Sequence, residues 1–350
     1  VERDHAERDS GVTAIDLIDD RTAENQVVAP AQGAAGPVIE VRGLSKKFRR
    51  VLALDNVSLS IPRASVGLLG ANGAGKTTLI RTLLGLSKPS EGSARVVGYD
   101  TQTEGTKVRE HVGYMPEADA LPMATTAADF VAHMAEMSGL PTRAARQRAA
   151  DVLYQVGLSE ERYRLIKGFS TGMRQRVKLA QAIVHDPDLV FLDEPTAGMD
   201  PQGREDMLEL VERIYRNLGI AVVFSSHILE DIERVCDYVV ILDGGRLVTS
   251  QRLDDLGTIG GEIVIRIDGD HGAFASVLRE QGVGVRQGDL DMGQDEMIVE
   301  ATDERVYDLI RDLAVHQGAS LRGLRSRSKT LEDIYLGDVG AAREANHVSQ

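Results

Sequence analysis

The chain has no tryptophan, one cysteine and only 4% aromatic residues in a length of 350. With Cys236 alone there can be no internal disulfide and no cysteine metal cage, which fits a reducing compartment. The residue itself reads as a small buried hydrophobe rather than a ligand or nucleophile. Positive charge is also short: 40 Lys and Arg stand against 54 Asp and Glu, for a net charge of -14. A surface of that sign repels a phosphate backbone, so no nucleic-acid partner is expected. Long apolar runs are missing as well. A membrane helix needs about 18–20 uncharged apolar residues, and the best runs, near 189–192 and 221–224, are only strand-sized. The chain is expected not to span a bilayer. No repeat of solenoid period is visible.

What is present is a 42% hydrophobic complement, enough for one large domain or a main domain with a smaller companion. Residues 1–37 mix acidic side chains with Ala, Gly and Pro and lack an apolar signal core, so they read as a disordered leader. Alternating, β-branched segments at 38–41, 54–61 and 64–69 predict strands, followed by a helix at 76–86 and strands near 93–97 and 111–114. Between 127 and 168 the pattern is almost wholly helical, with Phe130, Met134 and Met137 and then Val152, Leu153 and Val156 as candidate buried faces. Strands at 189–192, 220–225 and 238–242 then alternate with helices at 202–218 and 229–235, which predicts a mainly parallel sheet covered by helices. The order expected after Gly260-Gly261 is βαββαβ, a ferredoxin-like arrangement. The predicted organisation is a main domain over 38–257 with a helical insertion at about 118–170, an accessory α+β domain over 262–336, and a flexible tail over 337–350.

Two motifs carry chemistry. The run Gly70-Ala71-Asn72-Gly73-Ala74-Gly75-Lys76-Thr77 fits G-x-x-x-x-G-K-[ST] between an apolar strand and a helix, the context a phosphate loop requires. Glycines let backbone N–H groups curl around a polyphosphate and the helix start aims its positive end there. Lys76 would neutralise the outer phosphates and the Thr77 hydroxyl suits Mg2+. The second motif, Leu189-Val190-Phe191-Leu192-Asp193-Glu194, is an apolar strand ending in two carboxylates. Asp193 is placed to hold Mg2+, and Glu194 to orient or deprotonate an attacking water.

Between them, Phe169-Ser170-Thr171-Gly172-Met173-Arg174-Gln175-Arg176 resembles the ABC signature, usually written LSGGQ. Pro195-Thr196-Ala197-Gly198-Met199-Asp200 resembles the family's D-loop, and His227, after a strand and Ser225-Ser226, its switch histidine. The resemblance covers about 38–256. It implies a P-loop NTPase of ABC ATPase type, with antiparallel N-terminal strands beside the mainly parallel sheet, binding ATP and Mg2+. It further implies a dimer, with a second copy or a related subunit, in which the signature of one subunit closes over ATP held by the other. Asn72, Gly73, Ala74, Gly75, Lys76, Thr77 and Thr78 would then hold the phosphates, and Phe48 would stack on adenine. Ser170, Gly172 and Asp200 would serve the shared site, Thr77, Asp193 and Glu117 the metal, and Glu194, His227 and Lys76 the cleavage.

Two motifs depart from the family pattern, at three positions in all. Glu117 stands where a glutamine is usual and adds negative charge near the phosphates. The signature has Thr171 for glycine and Met173 for glutamine, as in STGM-like signatures of exporter subunits. The tail Ser328-Lys329-Thr330-Leu331-Glu332-Asp333-Ile334-Tyr335-Leu336 resembles the ending of ATPase subunits of drug, polysaccharide and lipid exporters. These resemblances imply an exporter subunit on the cytoplasmic face of the membrane, driving a separate permease. For the accessory domain a dimer-stabilising or regulatory role is favoured over ligand sensing. The alternative, a soluble ABC ATPase acting on ribosomes or nucleic acid, usually carries two cassettes, coiled coils or zinc cysteines, and this chain has none of these. The basic stretch Arg322, Arg325, Arg327, Lys329 reads as a solvated strand edge.

Overall fold

The computed structural model describes residues 36–49, 51–118, 120–256, 261–287, 296–301, 305–327 and 331. Residues 1–35 of the expected leader, the whole expected tail and the segment around Ser328 to Leu336, apart from Leu331, lie outside the described residues.

Two long antiparallel strands open the chain, β1 (Ile39–Phe48) and β2 (Val51–Ile61), both longer than expected because Lys46, Lys47 and Phe48 pair with Leu54, Leu52 and Val51 and continue the ladder. β3 (Ser65–Leu69) follows and is buried on both faces. It runs into α1 (Lys76–Leu83), after which β4 (Glu91–Val96) and β5 (Tyr99–Asp100) join β1 and β2 in a four-stranded sheet of order β2-β1-β4-β5. The sequence gives no face for α2 (Gly105–His111), since Val108 is its one buried residue. β6 (Val112–Met115) leads into the helical insertion, α3 (Ala127–Met137) and α4 (Thr142–Gln155). Thr126 caps α3 by accepting from the Asp129 amide.

α5 (Thr171–Ile183) begins at the Ser170 cap, and β7 (Leu189–Asp193) follows it. α6 (Pro201–Leu218) shows both expected end signals: Asp200 accepts from the Gly203 amide with Pro201 in the first turn, and Gly219 closes the helix in the left-handed region. β8 (Ala221–Ser226), α7 (Leu229–Val235), β9 (Tyr238–Asp243), β10 (Arg246–Arg252) and α8 (Leu253–Leu256) complete this part of the chain. The central sheet has the order β10-β9-β3-β8-β7-β6, parallel except for β10.

Both faces of this sheet are buried, with alternate residues feeding two cores. Val190, Leu192, Val222 and Phe224 face the insertion with α5, α6 and α7, while Leu189, Phe191, Ala221 and Val223 face α1 and the antiparallel strands. α5 lies directly on β6, and Gly113 makes that possible. A Cβ there would sit 1.9 Å from the carbonyl oxygen of Ala182. Gly113→Ala is therefore expected to lower unfolding stability by about 1–3 kcal/mol, as overpacking against backbone does. Chemical denaturation measures this, and an unchanged midpoint would contradict the packing.

The insertion differs from the sequence expectation in its buried face. Ala127, Val131 and Ala135 face inward with Ala145 and Ala149 of α4, whereas Phe130 and Met134 are half-buried and Met137 is 71% exposed. The second half of α4 follows expectation, with Val152, Leu153 and Val156 buried.

The last elements are β11 (Gly261–Asp268), α9 (His271–Glu280), β12 (Val285–Gln287), β13 (Glu296–Ala301), α10 (Arg305–Gln317) and β14 (Ser320–Arg327). Their antiparallel sheet has the order β12-β13-β11-β14, the ferredoxin-like arrangement expected from βαββαβ. Ile263, Ile265, Met297 and Val299 pack under Phe274, Leu278 and Ile310 of the two helices. Leu331 is buried in the core of the central sheet's helical side, with its amide near Glu233 of α7.

Candidate functional site

The carboxyl ends of β3, β8 and β7 are neighbours, and everything the sequence assigns to phosphate chemistry issues from them. Leu69 pairs with Ser226 and Asp193 with Ser225, so the loop after β3 and the carboxylates after β7 flank the end of β8. This is the place where parallel sheets collect ligands.

Gly75 precedes α1 with φ 105°, and a Cβ there would meet the carbonyl oxygen of Ala53 at 2.7 Å, so only glycine fits. No side chain caps this helix, although α3, α5, α6 and α9 each have one. Its first amides are left for an anion, and these residues fit a polyphosphate. Asn72 and Gly73 are exposed, Ala74 is buried, and Thr78 is half-buried with its carbonyl bound by the Thr82 hydroxyl. The Lys76 ammonium, almost fully buried, donates to the Gly70 carbonyl oxygen at 2.6 Å.

The Thr77 hydroxyl donates to Asp193 Oδ2 at 3.0 Å, and the Ser225 hydroxyl donates to Asp193 Oδ1 at 2.8 Å. Two ligands side by side on an octahedral Mg2+ at 2.0–2.1 Å stand about 2.9 Å apart, so the Thr77 and Asp193 oxygens fit that ion. Burial and the Asp193 carboxylate push the Tyr114 phenol above its usual range, which keeps its proton available beside Asp193 and Arg81. Tyr114 and Ser225 were not singled out as site residues. Their side chains act across neighbouring strands, and the one signal along the chain is the place of Ser225 just before His227.

Glu194 has φ 49° and its amide donates to Ser225 Oγ at 2.9 Å. That unusual backbone turn aims its carboxylate back over the loop. Oε2 faces His227 Nδ1 at 3.0 Å, while Oε1 lies 3.3 Å from the Lys76 ammonium as a charge pair without hydrogen-bond geometry. Oε1 is thus a buried acceptor with no hydrogen-bond partner among the described residues, at the place where a water would be held.

Phe48 is 49% exposed at the end of β1, so it is no core residue, and the Lys46 ammonium lies 4.7 Å from its ring centroid. Glu117 is exposed, and what the protein grips there is its carbonyl oxygen, which accepts from Lys178 at 3.0 Å. Ser170, Gly172 and Asp200 are not brought to the phosphate loop of their own chain. They line a separate cavity of about 550 Å3 together with Met173, Arg176 and Gly203, and none of residues 70–77 lines it. Two arginines of the basic stretch are neutralised locally, Arg322 against Asp268 and Arg325 against Glu296.

A parallel sheet with a phosphate loop, a strand-end carboxylate pair, a histidine after the next strand and a capped signature helix defines a P-loop ATP-binding domain of the ABC type. Comparison with known proteins agrees: the family model described as ABC transporter matches residues 54–197. The ABC transporter ATP-binding protein YdbJ of Bacillus subtilis is 32% identical over 311 residues, covering 89% of this chain and 98% of that protein. The linearmycin resistance ATP-binding protein LnrL of the same organism is 30% identical, covering 87% and 98%. The daunorubicin/doxorubicin resistance ATP-binding protein DrrA of Streptomyces peucetius is 34% identical, covering 71% and 76%. Among solved structures, an ATP-binding subunit of an ABC transporter is 31% identical with a TM-score of 0.57, covering 63% of this chain and 92% of that one. A cassette solved as a dimer in a post-hydrolysis state with ADP and Pi has the same TM-score at 24% identity, which speaks to the fold. The chain belongs to the ABC transporter family as an ATP-binding subunit. No helix among the described residues is long and apolar enough to cross a membrane.

Proposed function

We propose that this subunit hydrolyses MgATP as a dimer, with a second copy or a related subunit, and drives export through a separate membrane permease from the cytoplasmic face. The observation that carries the hydrolytic reading is the convergence of Lys76, Glu194 and His227, with an unbonded Glu194 oxygen between them. Glu194 takes a proton from water as the water oxygen bonds to the γ-phosphorus. The bond from that phosphorus to the β–γ bridging oxygen breaks, leaving ADP and phosphate. His227 orients the carboxylate and Lys76 neutralises the phosphates. Thr77 and Asp193 would hold Mg2+, which would supply positive charge against that of the phosphates. Phe48 offers a ring face to the adenine, and Glu117 lies on the loop that approaches the metal.

The separate cavity at Ser170, Gly172 and Asp200 supports a dimer, because two capped helix starts open there away from their own phosphate loop. Export rests on the resistance proteins above and on a Nod factor export ATP-binding protein of Ralstonia nicotianae that is 30% identical and covered over 93% of its length. A pull-down from native membranes tests the reading. A multi-helix membrane protein is expected to co-purify. Ribosomes or repair proteins with no membrane partner would leave the ATPase and overturn transport.

A further inference from the structure

Lys178 is 3% exposed in α5, a helix buried on most of its sides, with Val177, Leu179, Ala182 and Ile183 buried around it. Burying an ammonium there carries a desolvation cost that a leucine or methionine avoids. Its contacts point to a task. α5 is seated on β6 where Ala182 meets Gly113, and Lys178 lies one turn nearer the helix start on the same side. From there it passes the end of β6 and donates to the Glu117 carbonyl oxygen at 3.0 Å. Ser170, the cap of α5, is eight residues earlier, about 12 Å along a rigid helix. One buried side chain therefore ties the loop beside the chain's own nucleotide site to the helix whose start faces the other cavity.

We propose that Lys178 is a positioning residue that couples the two half-sites of the dimer. A shift of the residue 117 loop toward its own MgATP is passed through the Lys178–Glu117 bond to α5, which aligns Ser170 and Gly172 for the nucleotide held by the partner. The inference rests on the dimer proposed above. It is separate from catalysis, because Lys178 grips Glu117 by the backbone carbonyl oxygen and leaves its carboxylate exposed.

The test uses the full chain carrying Glu194→Gln, with dimerisation on MgATP followed by sedimentation and monomer affinity measured with a fluorescent ATP analogue. Adding Lys178→Met should weaken nucleotide-driven dimerisation about tenfold, the scale of a site-to-site coupling. Monomer affinity should stay within about twofold, as for an independent site, and Lys178→Arg should restore dimerisation. Dimerisation equal to the parent's overturns the proposal. So does a parallel loss of nucleotide affinity, the mark of general loosening. If Lys178→Met does not fold, Lys178→Ala, which removes both the charge and the donor to residue 117, is held to the same two criteria. A parent that stays monomeric defeats the dimer itself, and this inference with it.

Discussion

Glu194→Gln is expected to slow ATP hydrolysis by about 10²–10⁴-fold, the range for losing a general base, while leaving ATP binding intact. The substitution keeps the shape of the side chain and the bond from the residue 194 amide to Ser225, so the strand end is undisturbed. What it removes is a proton acceptor and a negative charge 3.3 Å from Lys76. Without that charge the ammonium answers only to the Gly70 carbonyl and to phosphate oxygens, so ATP should dwell longer. Single-turnover assays with radiolabelled ATP measure both effects. Turnover near the parent rate would take Glu194 out of the chemistry.

Lys76→Ala is expected to fail earlier, at binding. Loss of a charged donor to phosphate raises the dissociation constant of ATP by about 10–100-fold, and loss of a phosphoryl clamp lowers kcat by about 10²–10³-fold. The two variants thus separate: one holds ATP and does not cleave it, the other holds it poorly. Calorimetry beside a phosphate-release assay distinguishes them. Parent-like affinity in Lys76→Ala would mean that the loop amides at the uncapped start of α1 suffice without the ammonium.

Much of this site is legible in the sequence because its chemistry is local. A phosphate loop needs its glycines, Lys76 and Thr77 in one short run, and Asp193 and Glu194 sit together at the end of an all-apolar strand. What is illegible acts across strands. Ser225 and Tyr114 reach Asp193 from neighbouring strands, and no spacing along the chain announces those meetings. The buried face of α3 escaped for a different reason. Hydropathy points to Phe130, Met134 and Met137, but α3 and α4 approach on small residues, Ala127 and Ala135 against Ala145 and Ala149, so the bulky side chains are left at the margin. β10 had a signal that was not used: Gly244-Gly245, both with positive φ, is a tight hairpin turn, and the polar strand after it pairs back on β9. The ferredoxin-like order was readable since each of its strands alternates or is β-branched over its own length.

The strand that ends the last sheet has a consequence for the protein in concentrated solution. Among the described residues β14 pairs with β11 on one side only, and an open strand edge invites another chain to add to the sheet. Here that edge carries Arg322 and Arg325, exposed and held by Asp268 and Glu296, while β12 at the opposite edge is only three residues long. Neither described edge offers a long uncharged template, so copies crowded together have little opportunity to polymerise through this sheet.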